Sequence, residues 1–160
     1  MERRTFVKYT AAAGAAMMLP GIESIAGTGA KIKVVQVGTG HRGTGFWGKD
    51  LVKNFGNILD YMGVYDINPG RSEYAKNLYG GNCKQYGDFD KMLEEVKPEY
   101  VIVTTVDSTH DEYIVKALQK GCNVITEKPL TTDESKLKKI LDAEKASGKK
   151  VIVAFNYRHS

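Results

Sequence analysis

The chain has 160 residues, enough for one domain with a sizeable core, and its 42% hydrophobic and 26% charged content argues against disorder. The formal charge of +4 is mild and spread along the chain, without the arginine or lysine block that a nucleic-acid surface needs. Two cysteines, Cys83 and Cys122, make no disulfide framework and lack metal-like partner spacing. Both are expected at strand starts as small buried hydrophobes, and no metal site is expected.

Residues 1–26 carry a basic front, a mildly apolar centre from Ala11 to Leu19, and the small residues Ser24 and Ala26 at the exit. That is the layout of an export signal, and the alternative is a basic amphipathic tail. The apolar centre is too short to cross a bilayer, so no stable membrane span is expected. "RRTFVK" (Arg3 to Lys8) resembles the twin-arginine signal, with Val7 where leucine is usual and Glu2 where serine or threonine is usual. The resemblance implies an exported, periplasmic protein that crosses the membrane already folded.

Residues 31–160 then alternate strand and helix patterns as one domain. "IKVVQV" (Ile32 to Val37) is a short apolar run that predicts a buried strand. The next helix is expected to bury Trp47, Leu51 and Phe55 and to stop at Gly56. Ile58 to Asp66 reads as the second strand. Asn68 and Pro69 make an N-cap and first-turn proline for a helix carrying Tyr74, Ala75 and Leu78. A brief third strand near Cys83 to Tyr86 leads to a helix with Phe89, Met92, Leu93 and Val96 on one face, ended by Pro98.

"YVIVTT" (Tyr100 to Thr105) is the best-defined strand. Thr109 and Glu112 have capping-box spacing before a helix that buries Ile114, Ala117 and Leu118 and closes at Gly121. "NVIT" (Asn123 to Thr126) is the fifth strand. Thr131 and Glu134 give a second capping box, before a helix that buries Leu137, Ile140 and Leu141 and stops at Gly148. "KVIVAF" (Lys150 to Phe155) is the sixth strand. Nearly all-apolar strands between helices imply a parallel sheet covered on both faces. The expected fold class is α/β, a doubly wound Rossmann sheet of six strands in the order 3-2-1-4-5-6.

"GTGHRG" (Gly38, Thr39, Gly40, His41, Arg42, Gly43) is G-x-G-x-x-G set between a strand and a helix. Gly38 suits the tight turn, Gly40 leaves room for a pyrophosphate, and Gly43 lets helix and strand pack closely. The helix start offers N–H groups and a positive dipole end to the phosphates. Asp66 ends the second strand about 20 residues further on, where a carboxylate takes the adenosine ribose hydroxyls. It favours NAD and would repel the extra phosphate of NADP, although nearby Arg71 could accommodate one. A plain turn aspartate is the bland alternative.

The second half carries a more specific pattern. "VIVTTVDSTHDEYIVKALQKGCNVITEKPL" (Val101 to Leu130) resembles the glucose–fructose oxidoreductase / inositol dehydrogenase family, written Gfo/Idh/MocA. The matching features are the hydroxyl pair Thr104 and Thr105, His110 at a helix start, "ALQKGCNV", and Glu127-Lys128-Pro129. "AFNYRHS" also looks like the family's polar stretch after strand six, with Tyr157 and Arg158. A proline is common in the family where Val106 stands.

The resemblance implies hydride transfer between NAD, with NADP possible, and a sugar or polyol. Matched onto this chain, Lys128 is the lysine that lies near the nicotinamide and the substrate hydroxyl. Its place at the carboxyl end of strand five agrees, and an ammonium there could hydrogen-bond the reacting oxygen or help move its proton. A solvated loop lysine is the alternative. His110 is expected to be a helix-start residue packing near the cofactor rather than a base. Glu127 suits a cofactor or helix-terminus contact. Thr104 and Thr105 could bond the cofactor or simply finish the strand. Tyr157 and Arg158 are placed to meet substrate.

Family members continue into a second domain that holds a catalytic histidine and much of the sugar pocket, and this chain is expected to lack it. It should therefore bind nucleotide but catalyse poorly alone, and be a homo-oligomer at full length. Two other readings remain open: an NAD-dependent glycosidase working through transient sugar oxidation, and a non-catalytic nucleotide-binding sensor.

Overall fold

The computed structural model describes residues 30–155. The expected export signal, and Tyr157 and Arg158, lie outside the described residues. Among the described residues no helix is long and apolar enough to cross a membrane.

Six strands form one all-parallel sheet: β1 (Ile32–Val37), β2 (Leu59–Tyr65), β3 (Lys84–Tyr86), β4 (Tyr100–Val103), β5 (Asn123–Glu127) and β6 (Val151–Ala154). Their order is β3-β2-β1-β4-β5-β6, as the strand–helix alternation predicts. The order reverses between β1 and β4, so the loops leaving those two strands diverge and open a crevice at their carboxyl ends.

The connections are α1 (Gly43–Asp50, wound as a π-helix and continued by Leu51–Phe55), α2 (Pro69–Tyr79), α3 (Phe89–Val96), α4 (His110–Gln119) and α5 (Glu134–Ser147). On one face of the sheet, Val35, Val37, Val101, Val103 and Val124 pack with Met92 and Leu93 of α3, Ile114 and Leu118 of α4 and Ile140 of α5. These residues are between 0% and 2% exposed, which makes this layer the dry centre of the domain. Alternation along β1 turns Gln36 toward the opposite face, where Trp47 and Tyr79 are buried.

Both cysteines are buried one residue before a strand, as expected. Burial pushes the Cys83 thiol up to about 12 and the Cys122 thiol up to about 11, so both behave as apolar side chains rather than nucleophiles.

Several local expectations are corrected. Phe55 is 47% exposed rather than buried. Trp47 is buried within the π-wound turn, whereas the α-helical continuation Leu51–Phe55 buries none of its residues. On α2 the buried set is Ser72, Ala75 and Tyr79, leaving Tyr74 and Leu78 exposed, because Tyr79 fits against the bare backbone of Gly48. Leu141 on α5 is also exposed.

Neither threonine capping box forms. Thr109 closes a 3₁₀ turn (Asp107–Thr109), and its hydroxyl donates to the Val106 carbonyl at 2.8 Å instead of capping α4. For α5 the cap is Asp133, whose carboxylate accepts from the Ser135 and Lys136 amides at 2.8 and 3.3 Å. A carboxylate next to the first turn outcompetes the more distant Thr131, since it adds charge to the same capping geometry. The Ser135 hydroxyl, which donates to the same carboxylate oxygen, and then the two amides hold the Asp133 carboxyl below its ordinary range.

Candidate dinucleotide site

The three motif glycines divide into three physical situations. Gly38 has φ +87°, and a Cβ there would meet the Thr104 carbonyl carbon at 2.5 Å. Only glycine fits the turn that carries the chain off β1 and past β4. A Cβ on Gly43 would meet both the Gln36 amide nitrogen and the Gly38 carbonyl at 2.5 Å, so this glycine lets α1 sit directly on the strand. Gly40 differs. Nothing lies within 4 Å of its would-be Cβ, so the backbone there faces open space.

That space belongs to the crevice between the β1 and β4 loops, lined by Gly38, Gly40, Asp66, Arg71, Thr104 and Thr105. The exposed apolar side chains of Ile67 and Val106 stand at its edges. Asp66 is fixed before any ligand arrives. Its Oδ2 accepts from the Thr39 amide at 2.7 Å and the Thr39 hydroxyl at 3.0 Å, and its Oδ1 accepts from the Asn68 amide at 2.8 Å. Asn68 in turn caps α2 as expected, accepting from the Gly70 amide. His41 and Arg71 share a neighbouring hollow with Thr39 and Tyr74.

A buried polar network that periodicity does not reveal holds the loop in place. The Gln36 amide nitrogen donates to the Gly38 carbonyl and to Thr104 Oγ1, each at 3.0 Å. Its carbonyl oxygen accepts from the Tyr79 and Tyr61 hydroxyls at 3.0 and 3.3 Å. Tyr79 also lies 3.1 Å from the Gly43 carbonyl, and Tyr61 bonds the Trp47 carbonyl. Burial pushes both phenols well above the ordinary tyrosine range, which keeps them neutral donors. The glycine-rich turn is thus built from below, with both Gln36 amide hydrogens donated and its carbonyl oxygen facing the two phenols. The one available signal was a glutamine inside an otherwise apolar strand. Thr104 belongs to this network as much as to the crevice wall, its hydroxyl also donating to the Gly38 carbonyl.

The remaining expected residues gather at the rim of β5. Arg42 turns away from the crevice floor toward Glu127, with Nε 2.8 Å from its Oε1. Trp47 Nε1 donates to the same oxygen at 2.7 Å. The Arg42 guanidinium stacks 4.5 Å from the Phe46 ring centre. Its Nη2 is the one buried side-chain polar atom without a hydrogen-bond partner among the described residues. His110 is fully buried, with Nδ1 2.8 Å from the Pro129 carbonyl oxygen and Nε2 3.2 Å from that of Thr105. Lys128 is exposed at the end of β5, and the Lys128–Pro129 peptide is cis.

Parallel β1-loop-α1 geometry, an open Gly40 and an anchored carboxylate at the end of β2 together fit a dinucleotide. Residues 32–155 match the family model described as "Oxidoreductase family, NAD-binding Rossmann fold", GFO_IDH_MocA. The chain belongs to this family.

Among individual proteins, it is 37% identical over 131 residues to YteT of Bacillus subtilis, covering 79% of this chain and 31% of that protein. It is 31% identical over 121 residues to the inositol 2-dehydrogenase/D-chiro-inositol 3-dehydrogenase of Lactiplantibacillus plantarum, covering 73% of this chain and 34% of that one. A solved oxidoreductase from Thermotoga maritima superposes with a TM-score of 0.74 at 28% identity, over 81% of this chain and 40% of that one. The chain thus spans about a third of the length of the curated relatives it matches. As a Gfo/Idh/MocA nucleotide domain its cofactor is NAD.

Proposed function

We propose that the chain is the NAD-binding part of a dehydrogenase that moves a hydride between the nicotinamide and a hydroxyl-bearing carbon of a sugar or polyol. The crevice at the β1/β4 divergence carries this reading, because its floor is open at Gly40 and its far wall ends in the anchored Asp66. Relatives named for inositol oxidation favour a polyol substrate.

Bound NAD would supply the hydride acceptor. The loop at Gly40 would receive the pyrophosphate at the start of α1. Asp66 would accept the ribose hydroxyls while its charge disfavours a 2′-phosphate. Lys128, at the rim beyond β5, would hold the reacting oxygen and help take its proton as the hydride leaves carbon.

The test is nicotinamide reduction by the full-length protein offered NAD and a panel of inositols, aldoses and amino sugars. Reduction with a free sugar or polyol supports the proposal. Aglycone release without net NADH would assign the glycosidase reading instead, and NAD binding with neither activity would assign the sensor.

Asp66→Ala is expected to weaken NAD binding about tenfold or more by calorimetry, the scale of a lost charge-assisted pair of hydrogen bonds. It should also cost about 1–3 kcal/mol of stability, since the Thr39 and Asn68 amides lose their acceptor. Unchanged affinity would remove Asp66 from the site.

The N-terminal signal pattern supports export by the twin-arginine route as part of the same proposal. Retention of the full-length protein in the cytoplasm of cells with that route intact would remove export from it.

A further inference from the structure

Lys128 is an exposed side chain on a turn, and a free turn would leave its ammonium without a fixed direction. The residues on either side of it are not free. Glu127, immediately before, is 7% exposed. One of its carboxylate oxygens takes Arg42 Nε and Trp47 Nε1, and the other lies 3.3 Å from the Lys128 amide. Pro129, immediately after, has its carbonyl held by the fully buried His110.

Both grips originate in the chain segments that border the dinucleotide crevice. Arg42 belongs to the glycine motif, and its guanidinium is steadied over Phe46. His110 follows the β4 loop, and its second ring nitrogen faces the carbonyl of Thr105, a crevice-lining residue. Both of its ring nitrogens face main-chain carbonyls, and the neutral imidazole donates to one of them at a time. A buried carboxylate paired in this way also costs desolvation energy that a solvated glutamate would avoid. That cost is understandable where it fixes geometry.

We propose that Arg42, Trp47, Glu127 and His110 are positioning residues that register the Lys128 turn on the two loops that hold the dinucleotide. This rests on the dehydrogenase reading of Lys128 given above. Each acts through the main chain on either side of the lysine, and none is asked to touch substrate.

The experiment uses the full-length protein with Lys128 intact and compares Arg42→Lys, Glu127→Gln and His110→Phe, with His110→Asn as the variant that retains a donor. Hydrogen exchange of the segment 126–131 is measured alongside NAD affinity, kcat and KM. The expected result is exchange at that segment faster by about tenfold or more, since local opening is what the clamps suppress. NAD affinity should stay within about threefold, and kcat should fall about tenfold to a hundredfold, the penalty of a misdirected group. His110→Asn should recover part of both the exchange protection and kcat.

Exchange at 126–131 no faster than in the wild type, in variants that melt normally, would overturn the proposal. So would a kcat loss that only tracks the folded fraction. Arg42→Lys keeps the charge at a half-exposed site and removes the Nε–H geometry, so it decides the matter should the buried variants fail to fold. Absence of turnover in the wild type on every substrate would sink the dehydrogenase reading, and the exchange measurement would still decide the clamp.

Discussion

Gly43→Ala is expected to destabilise the protein by about 3 kcal/mol or more, while Gly40→Ala leaves unfolding in urea unchanged. At Gly43 the new methyl would meet the Gln36 amide nitrogen and the Gly38 carbonyl at 2.5 Å. Neither can yield cheaply, because Gln36 is fully buried and held by Gly38, Thr104, Tyr61 and Tyr79. Gly38→Ala should be comparably severe, combining the Thr104 overlap with a left-handed φ of +87°. At Gly40 the same methyl enters open space at an ordinary φ. One chemical change at three positions of one motif thus separates glycines kept for packing from the glycine kept for a ligand. Equal unfolding midpoints for Gly40→Ala and Gly43→Ala would contradict the packing account of α1.

Lys128→Ala is expected to lower turnover of the full-length protein by about a hundredfold to ten-thousandfold, the usual range for losing a positioned proton-transfer group. Its NAD affinity should stay within about threefold of the wild type. The side chain is exposed at the end of β5, so its removal opens no cavity, and a folding defect is not expected. This split between binding and turnover distinguishes a rim lysine that meets the reacting oxygen from one that only adds positive charge near the phosphates. A Lys128→Ala enzyme with near-normal turnover would end the proposed role.

The central strands β1 and β4 were legible because they are buried on both faces. Runs such as "YVIVTT" carry no competing helical period, and the resulting alternation with helices allowed the strand order to be anticipated. The position of Asp66 just past the end of β2 was legible because its spacing from the glycines follows from the length of one crossover helix and one strand. Capping was not. Asp133 and Thr131 both satisfy the residue preference, and only the path of the loop after Pro129 decides between them. The exposure of Phe55 was not legible either, because no residue type marks it.

The pairings around Lys128 were hidden for a different reason. Arg42 and Glu127 are 85 residues apart, and their meeting depends on α1 crossing the sheet toward β5. His110 opens α4 as its spacing predicts, but its partner, the Pro129 carbonyl, is set only in three dimensions.

The most direct test of the central claim is calorimetric titration of NAD into the wild type and Gly40→Leu, with both melting curves recorded. The account predicts that the wild type binds NAD and that the leucine variant, melting at the same temperature, loses about tenfold or more in affinity, because its side chain fills the space kept for the pyrophosphate. Equal affinity in the two proteins, or no binding by the wild type at millimolar NAD, would contradict it.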